Sequence, residues 1–261
     1  MTSSPFKLRN LPKRTPKPRQ DGITMVMDKG LSTREAEDFI EMCEPYTDIV
    51  KLGFGTSVVS ANLERKLAIY REAGLPTYFG GTLFEAYIIR KQFDEYLRVL
   101  ERFGMEYAEV SDGSLEMPHD KKCEFIQLLS KYVTVISEVG SKDAEKIIPP
   151  YKWIELMKKE LQAGVWKVIA EARESGNVGI FRGTGEVRSG LVDEILTQIP
   201  MDKIIWETPQ KGQQVYFIKL LGANANLGNI APNEVIPLET LRLGLRGDTF
   251  YTFLKHQSIK Y

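Results

Sequence analysis

The chain has 261 residues, 43% hydrophobic and 27% charged, with 35 basic side chains against 35 acidic ones. A chain of that length and composition folds around its own core without staples, and no apolar run approaches the ~20 residues of a membrane span. The neutral balance hides an asymmetry, because residues 1–20 hold six bases, four prolines and no acid, leaving six more acids than bases in residues 21–261. An acidic body argues against a large nucleic-acid surface. The N-terminus lacks the apolar stretch of a signal peptide, and Cys43 and Cys123 lack CxxC spacing, which fits a reduced, cytoplasmic chain. Residues 1–20 read as a basic, proline-rich arm, a partly ordered extension or a subunit-packing strap. Residues 21–261 read as one domain with no linker inside it.

Beyond the arm, short apolar runs alternate with amphipathic segments. The predicted strands are residues 23–28, 48–53, 76–80, 107–111, 133–138, 166–171, 203–207 and 224–227. Between the first two, Ser32 and Glu35 form a capping-box pattern, with Ala36, Phe39, Ile40 and Cys43 following at helical spacing. Leu63, Leu67 and Tyr70 pattern the next helix, which Gly74 ends. Phe93, Tyr96, Leu97, Leu100 and Phe103 pattern another before Gly104, as do Ile154, Leu156, Met157 and Leu161 before Gly164. Each helix serves as the crossover between parallel strands. Eight such units in about 240 residues match the count and size of a (β/α)8 TIM barrel, with a doubly wound sheet as the competing topology.

A TIM barrel builds its active site at the C-terminal ends of its strands. Those ends are polar here: Asp28, Lys51, Glu109 with Ser111 and Asp112, Glu138, Glu171, Glu207 and Asn226. A single strand-terminal acid is usually a loop or cap residue, but so many together suggest a hard-cation site, since carboxylates and water suit Mg²⁺. Alternation puts Thr24, Val26 and Asp28 on one face, Thr134, Ile136 and Glu138 on another, and Ile205 and Glu207 on a third; if these faces point inward, the carboxylates converge at the barrel mouth. Zinc is disfavoured, because His119 and His256 are the only histidines and neither has ligand spacing.

Lys51 sits among apolar neighbours, either snorkelling at the rim or placed for an anionic substrate. Lys167 is a candidate Schiff-base lysine, although an outward lysine against a helix is the favoured explanation. The glycine-rich turns at 53–57 and 80–82 can offer backbone N–H groups to an anion, but neither completes a phosphate-binding motif. The long stretch from Ala172 to Arg188 reads as a lid or as a decorated surface loop.

Nine segments resemble the phosphosulfolactate synthase family of coenzyme M biosynthesis: MDKGL (27–31), VKLGFGTS (50–57), GGTLFE (80–85), EVSDGS (109–114), SEVGSK (137–142), EARESG (171–176), PQKGQQV (209–215), NLGNIAPNEVIPLETLR (226–242) and GLRGDTF (244–250). Their order along the chain makes the set specific. The resemblance implies a TIM barrel that adds sulfite to phosphoenolpyruvate with Mg²⁺, giving (2R)-phospho-3-sulfolactate. It implies Glu138, Glu171 and Glu207 as metal ligands, with Asp28 and Asp112 as supporting or alternative ones, and Lys142 as the acid that protonates C2. Lys51 and Arg173 would bind phosphate, sulfite or carboxylate, Asn226 would orient phosphate, and Gly81 and Ser111 would line the substrate site.

The archaeal pattern reads EVGKK where this chain has EVGSK, so one lysine remains to carry that role. Arg182 has no basic counterpart in the pattern, and Arg246 matches it without an evident role. The family also implies a homo-oligomer, a trimer among its forms, with small anions as partners rather than nucleic acid or membrane. Related sequences in plants include a heat-stress-associated branch, so a non-enzymatic barrel stands beside the synthase reading, and a Schiff-base aldolase using Lys167 stands behind both.

Overall fold

Residues 6–141 and 148–254 are described by the computed structural model. The strands are β1 (Thr24–Asp28), β2 (Ile49–Leu52), β3 (Thr77–Phe79), β4 (Tyr107–Val110), β5 (Thr134–Val139), β6 (Lys167–Ala170), β7 (Ile204–Glu207) and β8 (Leu227–Ile230). The helices are α1 (Thr33–Cys43), α2 (Leu63–Glu72), α3 (Gly81–Ile89), α4 (Phe93–Arg102), α5 (His119–Leu129), α6 (Pro150–Ala163), α7 (Ser189–Leu196), α8 (Lys211–Leu221) and α9 (Val235–Arg242). All strand pairs are parallel, in the order β3-β2-β1-β8-β7-β6-β5-β4. The two end strands lie side by side, so the sheet is a nearly closed (β/α)8 barrel. The Ser32–Glu35 capping box forms at the start of α1. Among the described residues no helix is long and apolar enough to cross a membrane.

Two apolar layers place the strand faces. Ile23, Met25, Ile49, Tyr78, Ile136, Ile169 and Ile205 fill the barrel interior, while Val26, Val50, Ala108, Val110, Val168 and Trp206 pack outward against the helices. Glu138 follows Ile136 and Glu207 follows Ile205 on the inward face, as the alternation predicts. The first strand differs from expectation. Val26 belongs to the outer layer, so Asp28 points into the helix layer, where its carboxylate accepts from the Gly30 and Leu31 amides at 2.7 Å and pairs with Lys66 Nζ at 2.8 Å. A parallel strand is apolar on both faces, so alternation within it does not reveal which face is inward.

The last strand begins at Leu227, three residues later than the predicted start. Asn226 therefore lies at the N-terminal end of the barrel. It accepts from the Ile23 amide at 3.0 Å and donates to the carbonyls of Asp202 and Ile204 at 3.3 and 3.1 Å. Lys167, the first residue of β6, is at the same end, with its ammonium on the Asp202 carbonyl and over the Trp166 ring.

Residues 14–19 of the basic arm pack onto this floor. Arg14 pairs with Glu239 at 3.0 Å and donates to the Ala223 and Gly22 carbonyls. Lys17 pairs with Glu44 at 2.5 Å, and Arg19 with Asp48 at 3.0 Å. Arg242, fully buried, donates to the carbonyls of Ala223, Ala225 and Ile23, which stitches α9 to the entry of β1. Three of the arm's bases are thus matched by acids of the body.

Candidate active site

The strands deliver four inward carboxylates to the barrel mouth: Glu109 from β4, Glu138 from β5, Glu171 just after β6 and Glu207 ending β7. All are buried. Carboxylate oxygens of Glu138, Glu171 and Glu207 lie within 4.8 Å of one another. From β2, the Lys51 ammonium reaches Glu109 at 3.0 Å, Glu207 at 3.5 Å and Glu138 at 3.6 Å. Burial pulls the Lys51 pKa down, but Glu109 and Glu207 outweigh it and hold the pKa well above its ordinary value. Burial pushes Glu207 up to about 7; Lys51 opposes this, and Glu138 and Glu109 add to it. The ammonium is therefore fixed in its charged form, beside an excess of carboxylates that favours a further cation.

A cavity of about 250 Å³ opens over this cluster, lined also by Met27, Phe54, Gly80, Gly81, Thr82, Arg173 and Asn229. Gly81 begins α3, and its amide donates to Glu109 at 2.7 Å. A Cβ there would lie 2.3 Å from Ser111 Oγ and 2.8 Å from Glu109 Oε1, so only glycine fits. Arg173 is exposed at the rim, and its amide donates to Glu171 at 2.5 Å. The long stretch after β6 is tied down rather than free. Gln213 holds the Gly176 carbonyl at 2.7 Å, Gln210 holds that of Ser175 at 2.6 Å, and Phe181 bridges Val187.

Of the residues expected at the site, Lys51, Glu138, Glu171, Glu207, Gly81 and Arg173 meet at this cavity. Asp28, held by Lys66, and Asn226, on the floor, do not. Ser111 is fully buried and donates to Glu85, so it supports the wall without lining the cavity. Asp112 faces a neighbouring cavity and pairs with the buried Lys122 at 2.9 Å. Lys142 lies outside the described residues. Sequence reasoning counted Glu109 among the polar strand ends without giving it an individual role, and it missed Asn229. Pro232, which opens the short turn before α9, marks where β8 must stop and could have set the register that exposes Asn229.

The carboxylates and the buried lysine lie at the C-terminal ends of eight parallel strands, the end at which (β/α)8-barrel enzymes build their active sites. The family profile described as (2R)-phospho-3-sulfolactate synthase (ComA) matches residues 12–248. The chain is 42% identical over 244 residues to a phosphosulfolactate synthase of Methanothermobacter thermautotrophicus, covering 91% of this chain and 95% of that protein. It is 43% identical over 244 residues to one of Bacillus subtilis, covering 92% and 97%. The chain belongs to the phosphosulfolactate synthase family and is an enzyme of this type.

Among solved structures, 3-hexulose-6-phosphate synthase from Salmonella typhimurium aligns with a TM-score of 0.53 at 14% identity, covering 90% of this chain and all of that one. The YdjI aldolase of Escherichia coli aligns at 0.54 and 11%, covering 81% and 75%. These likenesses show the barrel fold alone.

Proposed function

We propose that the protein catalyses a Mg²⁺-dependent addition of sulfite to phosphoenolpyruvate, giving (2R)-phospho-3-sulfolactate. The observation that carries this reading is the buried glutamate trio beside Lys51. Magnesium takes oxygen ligands at 2.0–2.1 Å in an octahedron, which places ligand atoms roughly 3 Å apart when adjacent and roughly 4 Å apart across the ion. A trio whose oxygens lie within 4.8 Å needs only small side-chain adjustments to meet that geometry. The donor set is all oxygen, as a hard cation prefers.

Glu138, Glu171 and Glu207 would hold the ion, which when bound supplies Lewis-acid stabilisation to charge building on the substrate carboxylate. Lys51 offsets the repulsion between two anionic reactants, and Arg173 at the rim draws them in. The sulfur lone pair of sulfite forms the C–S bond at C3, and the π pair of the C2–C3 double bond moves toward C2 and its carboxylate. A proton then closes C2 on one face. Lys142 is the donor the family resemblance implies. Met27 and Phe54 give the cavity an apolar part of its wall.

The test is incubation of the purified protein with phosphoenolpyruvate, sulfite and Mg²⁺, followed by ³¹P NMR. A new phosphoester signal that disappears with chelator is expected. No new phosphoester under any metal condition would sink the reading.

A further inference from the structure

Among the cavity-lining side chains outside the carboxylate–lysine cluster, Asn229 stands out. Asn229 lies near the end of β8, is 5% exposed and lines the cavity, and its Oδ1 has no hydrogen-bond partner among the described residues. A buried amide without a partner costs free energy that a native fold normally avoids.

The backbone shows how Asn229 comes to be there. Thr24 pairs with Leu227 but Val26 pairs with Ile230, so β8 has one residue more than β1 across this step. Leu227 and Ile230 both face the outer layer. Of the two residues between them, Gly228 faces the interior, where a Cβ would lie 2.5 Å from Met25 Cε and 2.9 Å from Ile205 Cγ2. Asn229 adopts φ 55°, the left-handed region that asparagine tolerates better than most residues. The bulge thus breaks the in–out alternation and turns Asn229 into the cavity, the re-aiming that bulges perform beside active sites. Left-handed backbone and an unpartnered amide oxygen at one residue in the mouth are the pattern of a ligand contact.

We propose that Asn229 binds the phosphate group of the substrate by hydrogen-bonding a phosphate oxygen with its carboxamide. This deepens the synthase reading and rests on it. The glutamate trio occupies the β5–β7 side of the mouth and would hold the cation next to the substrate carboxylate. β8 borders β7, so Asn229 stands beside the cation site, where the uncharged stretch of the mouth begins: the cavity-lining residues of β8 and β1, Asn229 and Met27, carry no negative charge, and the phosphate, borne by the same carbon as the carboxylate, belongs there. A primary amide has the same shape after a half-turn about χ2, so either orientation leaves an N–H to donate to a phosphate oxygen.

The experiment compares wild type with Asn229→Gly and Asn229→Asp. Glycine accepts the left-handed backbone, so the Gly variant keeps its melting temperature while losing the amide. The expected result is a rise of about tenfold or more in KM for phosphoenolpyruvate and in the inhibition constant of inorganic phosphate, with KM for sulfite unchanged. The Asp variant keeps the shape and adds a negative charge, so its loss should be larger. An Asn229→Gly variant within twofold of wild type on both constants overturns the proposal, as does weakened Mg²⁺ affinity with phosphate affinity intact. If wild type makes no product, the synthase reading fails; direct titration of inorganic phosphate into wild type and Asn229→Gly then decides Asn229 separately, and equal affinities overturn it.

Discussion

Replacing Lys51 with methionine removes the ammonium that touches three of the four mouth carboxylates, at 3.0, 3.5 and 3.6 Å, and keeps much of its apolar length. Glu109 and Glu207 are each only 1% exposed, so water cannot replace the lost charge. Breaking a buried pair by deleting one partner costs about 3–5 kcal/mol, because the remaining charge is left uncompensated. The loss should depend on pH. Glu207 stands at about 7 in the folded protein, against about 4.3 for an unfolded glutamate. The native state therefore holds the extra proton between these values, and stability falls as pH rises through that window. Losing Lys51 raises the folded value further. Urea unfolding in chelator should thus show the full deficit near pH 8 and a smaller one near pH 5.5. Added Mg²⁺ should recover about 2.7 kcal/mol at a hundredfold excess over its dissociation constant. A deficit below about 1 kcal/mol near pH 8, with an unchanged denaturant slope, would refute the charge balance inferred for the mouth.

On the barrel floor, Arg19→Met should destabilise by about 3–5 kcal/mol in chemical denaturation, since Asp48 would keep only its 2.8 Å bond from the Thr24 amide. Burial already raises the Asp48 pKa, so this deficit should shrink as pH falls toward the unfolded aspartate range, and Asp48→Asn should rescue part of it. Gly81→Ala forces a Cβ against Ser111 and Glu109; a loss of about 1–3 kcal/mol and a marked fall in turnover are expected, read by thermal melting and the ³¹P assay. Lys167→Met should retain turnover, and borohydride with pyruvate should leave no adduct on wild type detectable by mass spectrometry, because the amine lies at the floor of the barrel.

The barrel was legible because strand–helix alternation is a pattern of local periods, and Glu138 and Glu207 were legible because each follows an isoleucine that fills the interior. Asp28 was misread for a physical reason: Met25 and Met27, not Val26, face inward, and both faces of β1 are apolar. Asn226 was misplaced because β8 begins three residues later than its apolar run suggests, and Asn229 went unnoticed because the β8 bulge breaks the alternation that would reveal its direction. The partners of the arm were not legible, since Arg14 and Glu239 are brought together only by closure of the whole barrel.

That closure also constrains the order in which the chain can mature. Arg14 emerges from the ribosome early and Glu239 more than two hundred residues later, and β1 has to wait equally long for β8. Long-range pairings of this kind slow folding and leave unpaired edges exposed meanwhile. Lys17 and Arg19 can meet Glu44 and Asp48 early, but Arg14 stays unmatched until α9 arrives, so that helix sets the moment at which Arg14 becomes structural.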